Sequence, residues 1–315
     1  MNTPSLSNLP APSRMRRRAL RTLMLFTVMT GFAGFYDETF TQTTKTDFKP
    51  LSLVSVRVRS APVVDGKGSD PVWRSAAPLR IVAKRVMGSN IGLSTRASVR
   101  SVHTATHIYF LVSWEDATED VSHKSWVWNA EKKAYEEGPD REDMFALSFE
   151  HTGDFTADML SPVDSVWEIW HWKAFRTNPQ GYATDKTHRY ATSKPEGRAN
   201  VHKARDGSEI WISRPEDAGD TVEKKQAAPT TYQGDRVPQY SPGTPSGSAA
   251  DVRAKGVWAS GRWTLEIERR LVTGQPDDTA FDLTRSYKMA LATFDRTGEM
   301  DKASGLIELK FLSRR

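Results

Sequence analysis

A tryptophan-rich run from Val166 to Tyr182 restricts the possible folds of this chain more than any other segment. The run alternates like a β-strand and ends in the turn signal Asn178-Pro-Gln-Gly181. With a period of two, one face carries Trp167, Ile169, His171 and Lys173, and the other carries Val166, Glu168, Trp170 and Trp172. A strand with bulky side chains on both faces is buried on both sides, or one face contacts a flat apolar ligand.

Composition limits the classes of protein to consider. The chain has 315 residues, is 38% hydrophobic and contains ten tryptophans, which indicates a soluble body with aromatic surfaces or a ligand pocket. Its net charge of +5 is concentrated at the two ends, so we expect no nucleic-acid partner. It has no cysteine, which excludes disulfides, cysteine-bound zinc, iron–sulfur clusters and haem attached through cysteine.

The N-terminus has the pattern of an export signal. Five arginines between residues 14 and 21 precede an apolar run from Leu23 to Phe35. A basic segment before about a dozen apolar residues is typical of a signal peptide rather than a full membrane span. We therefore interpret residues 1–36 as a signal peptide or a short inner-membrane anchor, and residues 37–50 as a polar tether. This predicts a periplasmic body; the alternative is a disordered basic tail.

The remaining chain, residues 51–315, has the pattern of an all-β domain. Strand-like segments are Leu51–Val58, Arg80–Met87, Ala97–Thr104, His107–Trp114, Met144–Glu150, the tryptophan-rich run, Val252–Ala259, Arg262–Arg269, Arg285–Phe294 and Gly305–Leu312. About ten or eleven short strands, without a long amphipathic helix, predict an antiparallel β-sandwich with long loops. Residues 184–201 are interpreted as polar and irregular, and residues 214–250 as a long Pro/Gly-rich loop that could dock a partner. The Ser260-Gly261 step predicts a tight hairpin.

Several blocks resemble known families. The opening from Ala61-Pro-Val-Val-Asp-Gly to Asp70-Pro-Val-Trp is similar to that of family 9 carbohydrate-binding modules. Three later blocks, beginning at Val112, Ile169 and Ala254, resemble the haem-binding γ subunit of ethylbenzene dehydrogenase and of similar enzymes acting on dimethyl sulfide, selenate or chlorate. The resemblance extends over about residues 55–312.

This resemblance implies a b-type cytochrome subunit that relays electrons and has no catalytic activity of its own. It implies one non-covalent haem b, with Met159 and Lys255 as iron ligands. In the family a glycine usually follows the methionine, whereas here Leu160 follows it. The implied partner is a redox enzyme subunit, or a soluble or membrane cytochrome.

The residues themselves are compatible with this reading and leave alternatives open. A lysine binds iron only as a neutral amine, which requires a desolvated site. Trp170 and Trp172, or Trp167, could wall the porphyrin, and Arg176 could bind a propionate. His171 is an alternative iron ligand, or a packed histidine bonded to a carbonyl.

Four further histidines and two alternative functions complete the predictions from the sequence. His188 and His202, like the histidines at 103 and 107, have no spacing that suggests a metal site. The alternative functions are a carbohydrate- or small-ligand-binding module and a structural subunit of a membrane complex without haem.

Overall fold

The computed structural model describes residues 51–85, 93–296 and 302–312, which all belong to one compact unit. The predicted signal or anchor segment and the polar tether lie outside the described residues. Within the described ranges, no helix has the length and apolar character needed to cross a membrane.

The described residues form nineteen strands and three short 3-10 helices. The strands are β1 (Leu51–Arg57), β2 (Leu79–Lys84), β3 (Ser94–His103), β4 (His107–Glu115), β5 (Trp126–Asn129), β6 (Ala134–Glu137), β7 (Met144–Gly153), β8 (Ser165–Lys173), β9 (Thr184–Ala191), β10 (Asn200–Lys203), β11 (Glu209–Ser213), β12 (Glu223–Lys225), β13 (Arg236–Val237), β14 (Tyr240–Pro242), β15 (Arg253–Trp258), β16 (Arg262–Arg270), β17 (Tyr287–Phe294), β18 (Lys302–Ala303) and β19 (Ile307–Leu312). The helices are Pro71–Ser75, Asn178–Gln180 and Gly247–Ala250. The all-β prediction is confirmed.

The strand count exceeds the predicted ten or eleven, mainly because six strands lie between residues 184 and 242. The interpretation of residues 184–201 as irregular was wrong, since β9 and the start of β10 fall there. In β9 the buried positions Asp185 and Thr187 are polar, so the alternation does not show as a hydrophobic pattern. The predicted loop 214–250 contains only the short strands β12, β13 and β14 and one 3-10 helix.

The sheet closes on itself through six strands, and the sandwich prediction is not confirmed. β17 pairs with β18 and β19, β18 with β2, β2 with β3, and the parallel strand β1 joins β3 to β19. From this ring, β4, β16 and β15 continue beyond β3, while β7, β8, β9, β11 and β10 continue beyond β17. The alternation along each strand does not encode these partners, so the closure could not be derived from it.

The main core contains the inward faces of both extensions of the ring. It includes Trp114 from β4 and Trp263 from β16, together with Phe145, Trp170 and Trp172 from β7 and β8. Trp172 contacts Trp263 edge to face with ring centroids 4.9 Å apart. Such aromatic packing accounts for the burial of the tryptophan-rich strand on one side.

The predicted hairpin turn is confirmed, and a second local turn is present at Pro71. Ser260 and Gly261 both have positive φ, 52° and 75°, and they join β15 to β16 in a hairpin. This pair of angles matches the right-handed twist of the flanking strands. Pro71 begins a 3-10 turn that buries Trp73, whose indole donates to Glu266 at 2.8 Å.

Candidate functional site

The tryptophan-rich strand β8 is buried on both faces, but the two faces pack against different surroundings. Trp170 and Trp172 lie in the main core, as described above. Trp167, Ile169 and His171 lie on the opposite face, as the alternation predicted, and line a cavity. The strand therefore separates the main core from a candidate ligand site.

Small side chains make room for this cavity. On β7 and β17, the small residues Ala146, Ser148, Ala290 and Ala292 point to the cavity face, whereas the residues that alternate with them lie in the main core. These four residues pair side by side, Ala146 with Ala292 and Ser148 with Ala290. Since none of them extends beyond a hydroxymethyl group, they form a low floor above which a ligand can lie.

The cavity has a volume of about 500 Å³, within the roughly 300–1,000 Å³ of many ligand sites. Ala157, Met159 and Leu160, from the connection between β7 and β8, line it together with the sheet. The connection is held by Arg205, whose Nε donates to Asp158 at 2.8 Å. This hydrogen bond to the residue before Met159 helps to hold Met159 at the cavity.

Three histidines contribute to the lining of this cavity. They are His171 on β8, His188 on β9 and His202 on β10. In each of them Nε2 is buried and has no hydrogen-bond partner among the described residues. A buried nitrogen without a partner is costly, so these atoms indicate a site for a ligand or ordered water.

Burial controls the charges on this surface. It holds the pKa of both His171 and His188 well below the usual value, and the nearby charge of Lys186 acts in the same direction. Burial also lowers the pKa of Lys186 itself to about 7, with a smaller contribution from the positive charge of Lys173. The two histidines are therefore neutral near pH 7, as a metal ligand must be.

Hydrogen bonds distinguish His171 from His188 as ligands. Lys186 Nζ lies 3.1 Å from His171 Nδ1; an ammonium can only donate, so the hydrogen of this ring is then on Nε2. His188 Nδ1 lies 3.3 Å from the Tyr190 hydroxyl, which can accept. His188 can therefore carry its hydrogen on Nδ1 and offer the Nε2 lone pair, which makes it the better metal ligand.

The predicted site residues are only partly brought together. Met159 and His171 line the cavity, whereas Lys255, Trp170, Trp172 and Arg176 are not among its lining residues. Lys255 lies on β15 and donates to the Asn178 carbonyl at 3.1 Å. Its position at this hairpin, and not at the cavity, follows from the pairing of β15 with β16.

The other predicted porphyrin contacts are engaged elsewhere. Trp170 donates to Glu168 at 2.6 Å and Trp172 to Asn178 at 3.1 Å, both on the core side of the sheet. Arg176 donates from Nε to Glu142, and its guanidinium lies over the ring of Tyr240. Trp167, the other tryptophan considered for the wall, does line the cavity.

Sequence reasoning missed Lys186, His188 and His202. The signal that could have found the first two is the alternation of Lys186, His188 and Tyr190 along β9, on the face opposite Asp185. His202 had no such signal, because β10 is a four-residue strand at the end of the sheet.

Comparison with known proteins identifies a family. A sequence model described as ethylbenzene dehydrogenase matches residues 70–304. No curated protein matches the chain.

Two solved structures follow a similar course of the chain at low sequence identity and low TM-score. A family 9 carbohydrate-binding module from Caldicellulosiruptor kristjanssonii, in complex with glucose, has a TM-score of 0.37 and 10% identity, covering 83% of this chain and 97% of its own. A Bacteroides uniformis protein named for predicted carbohydrate binding has a TM-score of 0.43 and 9% identity, covering 84% and 100%.

Proposed function

We propose, on the premise that this chain belongs to the ethylbenzene dehydrogenase family, that it is an electron-transfer protein holding one non-covalent haem b in the cavity. The observation that carries the proposal is a thioether and three buried, unpartnered imidazole nitrogens around one cavity with a largely apolar floor. Thioether sulfur and imidazole nitrogen are both axial ligands of haem iron.

Met159 and His188 are the residues we assign to the iron. Met159 provides a soft thioether from the connection between β7 and β8. His188 provides a neutral imidazole whose Nδ1 has the Tyr190 hydroxyl as its partner. This assignment replaces Lys255, implied by the sequence resemblance, and leaves Lys186 as the competing amine ligand because its pKa of about 7 makes the neutral form accessible.

The other lining residues prepare the site. The alanine floor and the side chains of Trp167 and Ile169 exclude water from the sheet side. Arg85 and Arg214 also line the cavity, and a guanidinium is suited to bind a propionate by two hydrogen bonds. When bound, haem b supplies a reversible one-electron change, with a potential that a methionine ligand raises.

The proposed protein relays electrons and does no chemistry on a substrate. Its partner would be a redox enzyme subunit, or a soluble or membrane cytochrome. The location we propose is the periplasm, with the N-terminal segment as either a cleaved signal or an anchor. The basis of that location is the arginine-rich and apolar N-terminal sequence alone.

Haemin reconstitution tests the proposal. The purified chain should take up about one haem per protein, give a b-type pyridine haemochrome and show a sharp reduced α band. Met159→Ala and His188→Ala should each change the reduced spectrum and lower haem affinity by more than about tenfold. Failure to retain haem would overturn the proposal.

Matched variants separate the ligand assignments. Lys255→Ala and His107→Ala are the controls for Lys186 and His188. Each removes a lysine or histidine that does not line the cavity, so the haem spectrum should stay unchanged. Lys186→Met should change the spectrum only if the amine is the ligand. A changed reduced spectrum in Lys255→Ala would leave haem binding established but would overturn the assignment of His188 as the ligand.

Carbohydrate binding is the second candidate, and a partly exposed aromatic group favours it. Trp128 contacts both Tyr135 and Tyr232, with ring centroids 5.0 Å and 5.3 Å away, and Tyr232 is 57% exposed. An exposed ring such as that of Tyr232 can stack on a sugar. A colourless protein that binds polysaccharide and loses this binding in Tyr232→Ala and Trp128→Ala would establish this alternative in place of haem.

A further inference from the structure

The face of the sheet opposite the cavity carries a buried acid cluster. We give this name to four carboxylates: Glu168 on β8, Asp185 on β9, Asp217 after β11 and Asp278 before β17. All four are at most 6% exposed. One oxygen each from Glu168, Asp185 and Asp278 lies within 4.8 Å of the others. Buried carboxylates this close must be compensated by positive charge, hydrogen bonds or protons.

One arginine compensates part of this charge. Arg269 is fully buried and donates from Nη1 to Glu168, and the same nitrogen lies 3.7 Å from Asp278. Glu168 has further donors, the Trp170 indole at 2.6 Å and the Thr279 backbone at 2.7 Å. Glu168 and Arg269 thus form a hydrogen-bonded pair, and Asp278 lies at ion-pair distance from the same arginine without a hydrogen bond. Among the described residues no lysine or arginine forms an ion pair with Asp185 or Asp217.

Asp185 is the residue that points to a missing ligand. It is fully buried, and neither of its oxygens has a hydrogen-bond partner within the described part of the chain. The same is true of both oxygens of Asp278 and of one oxygen of Asp217. Glu168 is therefore partnered, while five carboxylate oxygens beside it are not. Ionised carboxylates clustered in this way, without a bound cation or shared protons, would strongly destabilise the fold.

We propose that the acid cluster is a binding site for one divalent cation, with calcium as the best fit. All the ligand atoms are carboxylate oxygens, which hard cations prefer. Calcium–oxygen bonds of about 2.3–2.6 Å place opposite ligands about 5 Å apart, close to the separations in the cluster. Four carboxylates and one guanidinium leave a formal charge of about −3, which a divalent ion offsets.

The position of the cluster gives the ion a structural role. Asp217 lies at the start of the 214–250 segment, and Asp278 lies in the connection between β16 and β17. Asp185 and Glu168 belong to the two strands that carry His188 and His171 on their other face. The ion would fasten both connections to the back of the cavity. This inference does not depend on haem binding.

Protons shared between the carboxyl groups could compensate the cluster without a metal ion. Burial raises the pKa of Asp217 and of Asp278 to about 7 and that of Asp185 well above its usual value. Carboxyl groups that share protons would satisfy part of the cluster. The experiment must therefore distinguish a cation from protons.

Calcium titration of the chelator-treated full chain makes this distinction. At about 100 times the dissociation constant, calcium should raise Tm by about 5–10 °C. Terbium should replace calcium and emit when tryptophan is excited, because Trp170 donates to Glu168 within the cluster. The absence of both a Tm shift and measurable calcium binding would overturn the proposal in favour of shared protons.

Variants locate the site. Asp185→Asn should abolish the calcium-dependent Tm shift and the terbium signal. Asp116→Asn is the matched control, since Asp116 belongs to a separate group with Asp143 and Asp295. Calcium responses that survive in Asp185→Asn and disappear in Asp116→Asn would overturn the assignment to the acid cluster. If Asp185→Asn does not fold, terbium emission quenched in Trp170→Phe and kept in Trp258→Phe provides the same localisation.

Discussion

The two faces of β9 differ in chemistry although they are formed by consecutive residues. Lys186, His188 and Tyr190 line the cavity, whereas Asp185 and Thr187 lie on the opposite side, next to Glu168. A period of two therefore places half-buried bases on one surface of the sheet and buried acids on the other. Consecutive polar residues of one strand can thus form two surfaces of opposite chemistry.

The two faces also respond to pH in opposite directions. Burial favours the neutral form of every group, so it lowers the pKa of Lys186 and His188 and raises that of Asp185 and Asp278. Below pH 7 the cost falls on the buried amine, and above pH 7 it falls on the carboxylates. Substitutions on one face can therefore test its pH dependence without replacing residues on the other face.

Removing the charge of Glu168 should have the largest effect on stability. In Glu168→Gln the buried guanidinium of Arg269 loses its principal partner, and we expect a loss of about 3–5 kcal/mol in the free energy of unfolding. Chemical denaturation measures this loss. The control is Asp154→Asn, which removes an exposed pair with Lys288 and should cost less than about 1 kcal/mol. Equal losses in the two variants would show that burial does not strengthen the inner pair.

Asp185→Asn should stabilise the metal-free protein increasingly as the pH rises. The pKa of Asp185 is raised above its unfolded value of 3.8, so wild-type stability is fully present below about pH 4 and is lost as the carboxyl group ionises at higher pH. We expect the variant to gain about 1–3 kcal/mol relative to wild type by pH 8. Denaturation curves between pH 4 and pH 8, with chelator present, measure the gain. A gain that is independent of pH would contradict the proposed ionisation.

Lys186→Met tests the opposite face and should show the opposite trend. The folded pKa of Lys186 is about 7, below the unfolded 10.5, so wild type carries the full cost of the buried ammonium below pH 7. The cost disappears as the pH rises from about 7 to 10.5. We expect the variant to gain about 1–2 kcal/mol at pH 6 and to lose this advantage by pH 10. Lys255→Met, which removes a lysine outside the cavity, is the matched control.

Some of this arrangement could be predicted from the sequence, and the reasons are local. The faces of β8 follow from the alternation between Val166 and Lys173, and the hairpin follows from Ser260-Gly261. Both depend only on neighbouring residues. The assignment of Met159 to a ligand site rested on the family resemblance, and the structure places this residue at the cavity.

The rest depends on pairing between distant segments. β9 was missed because its buried residues Asp185 and Thr187 are polar, and the neighbouring strand β8 that buries them lies 15 or more positions away along the chain. Lys255 was named as a ligand through the family resemblance, and the sequence does not reveal that β15 pairs with β16 while β9, which carries Lys186, borders β8. The closure of the ring was not predicted for the same reason, because β1 and β19 come from opposite ends of the domain.

Tyr190→Phe should have the smallest effect, and it tests whether the cavity face positions its histidine. The substitution removes the hydroxyl that lies 3.3 Å from His188 Nδ1, which should cost about 0.5–1.5 kcal/mol of stability. A double-mutant cycle with His188→Ala should show a coupling of similar size, because the two groups contact each other. In the haem-loaded protein Tyr190→Phe should shift the reduced spectrum without reducing the haem content. No coupling and an unchanged spectrum would show that the hydroxyl does not orient His188, and the advantage of His188 over Lys186 as the ligand would then disappear.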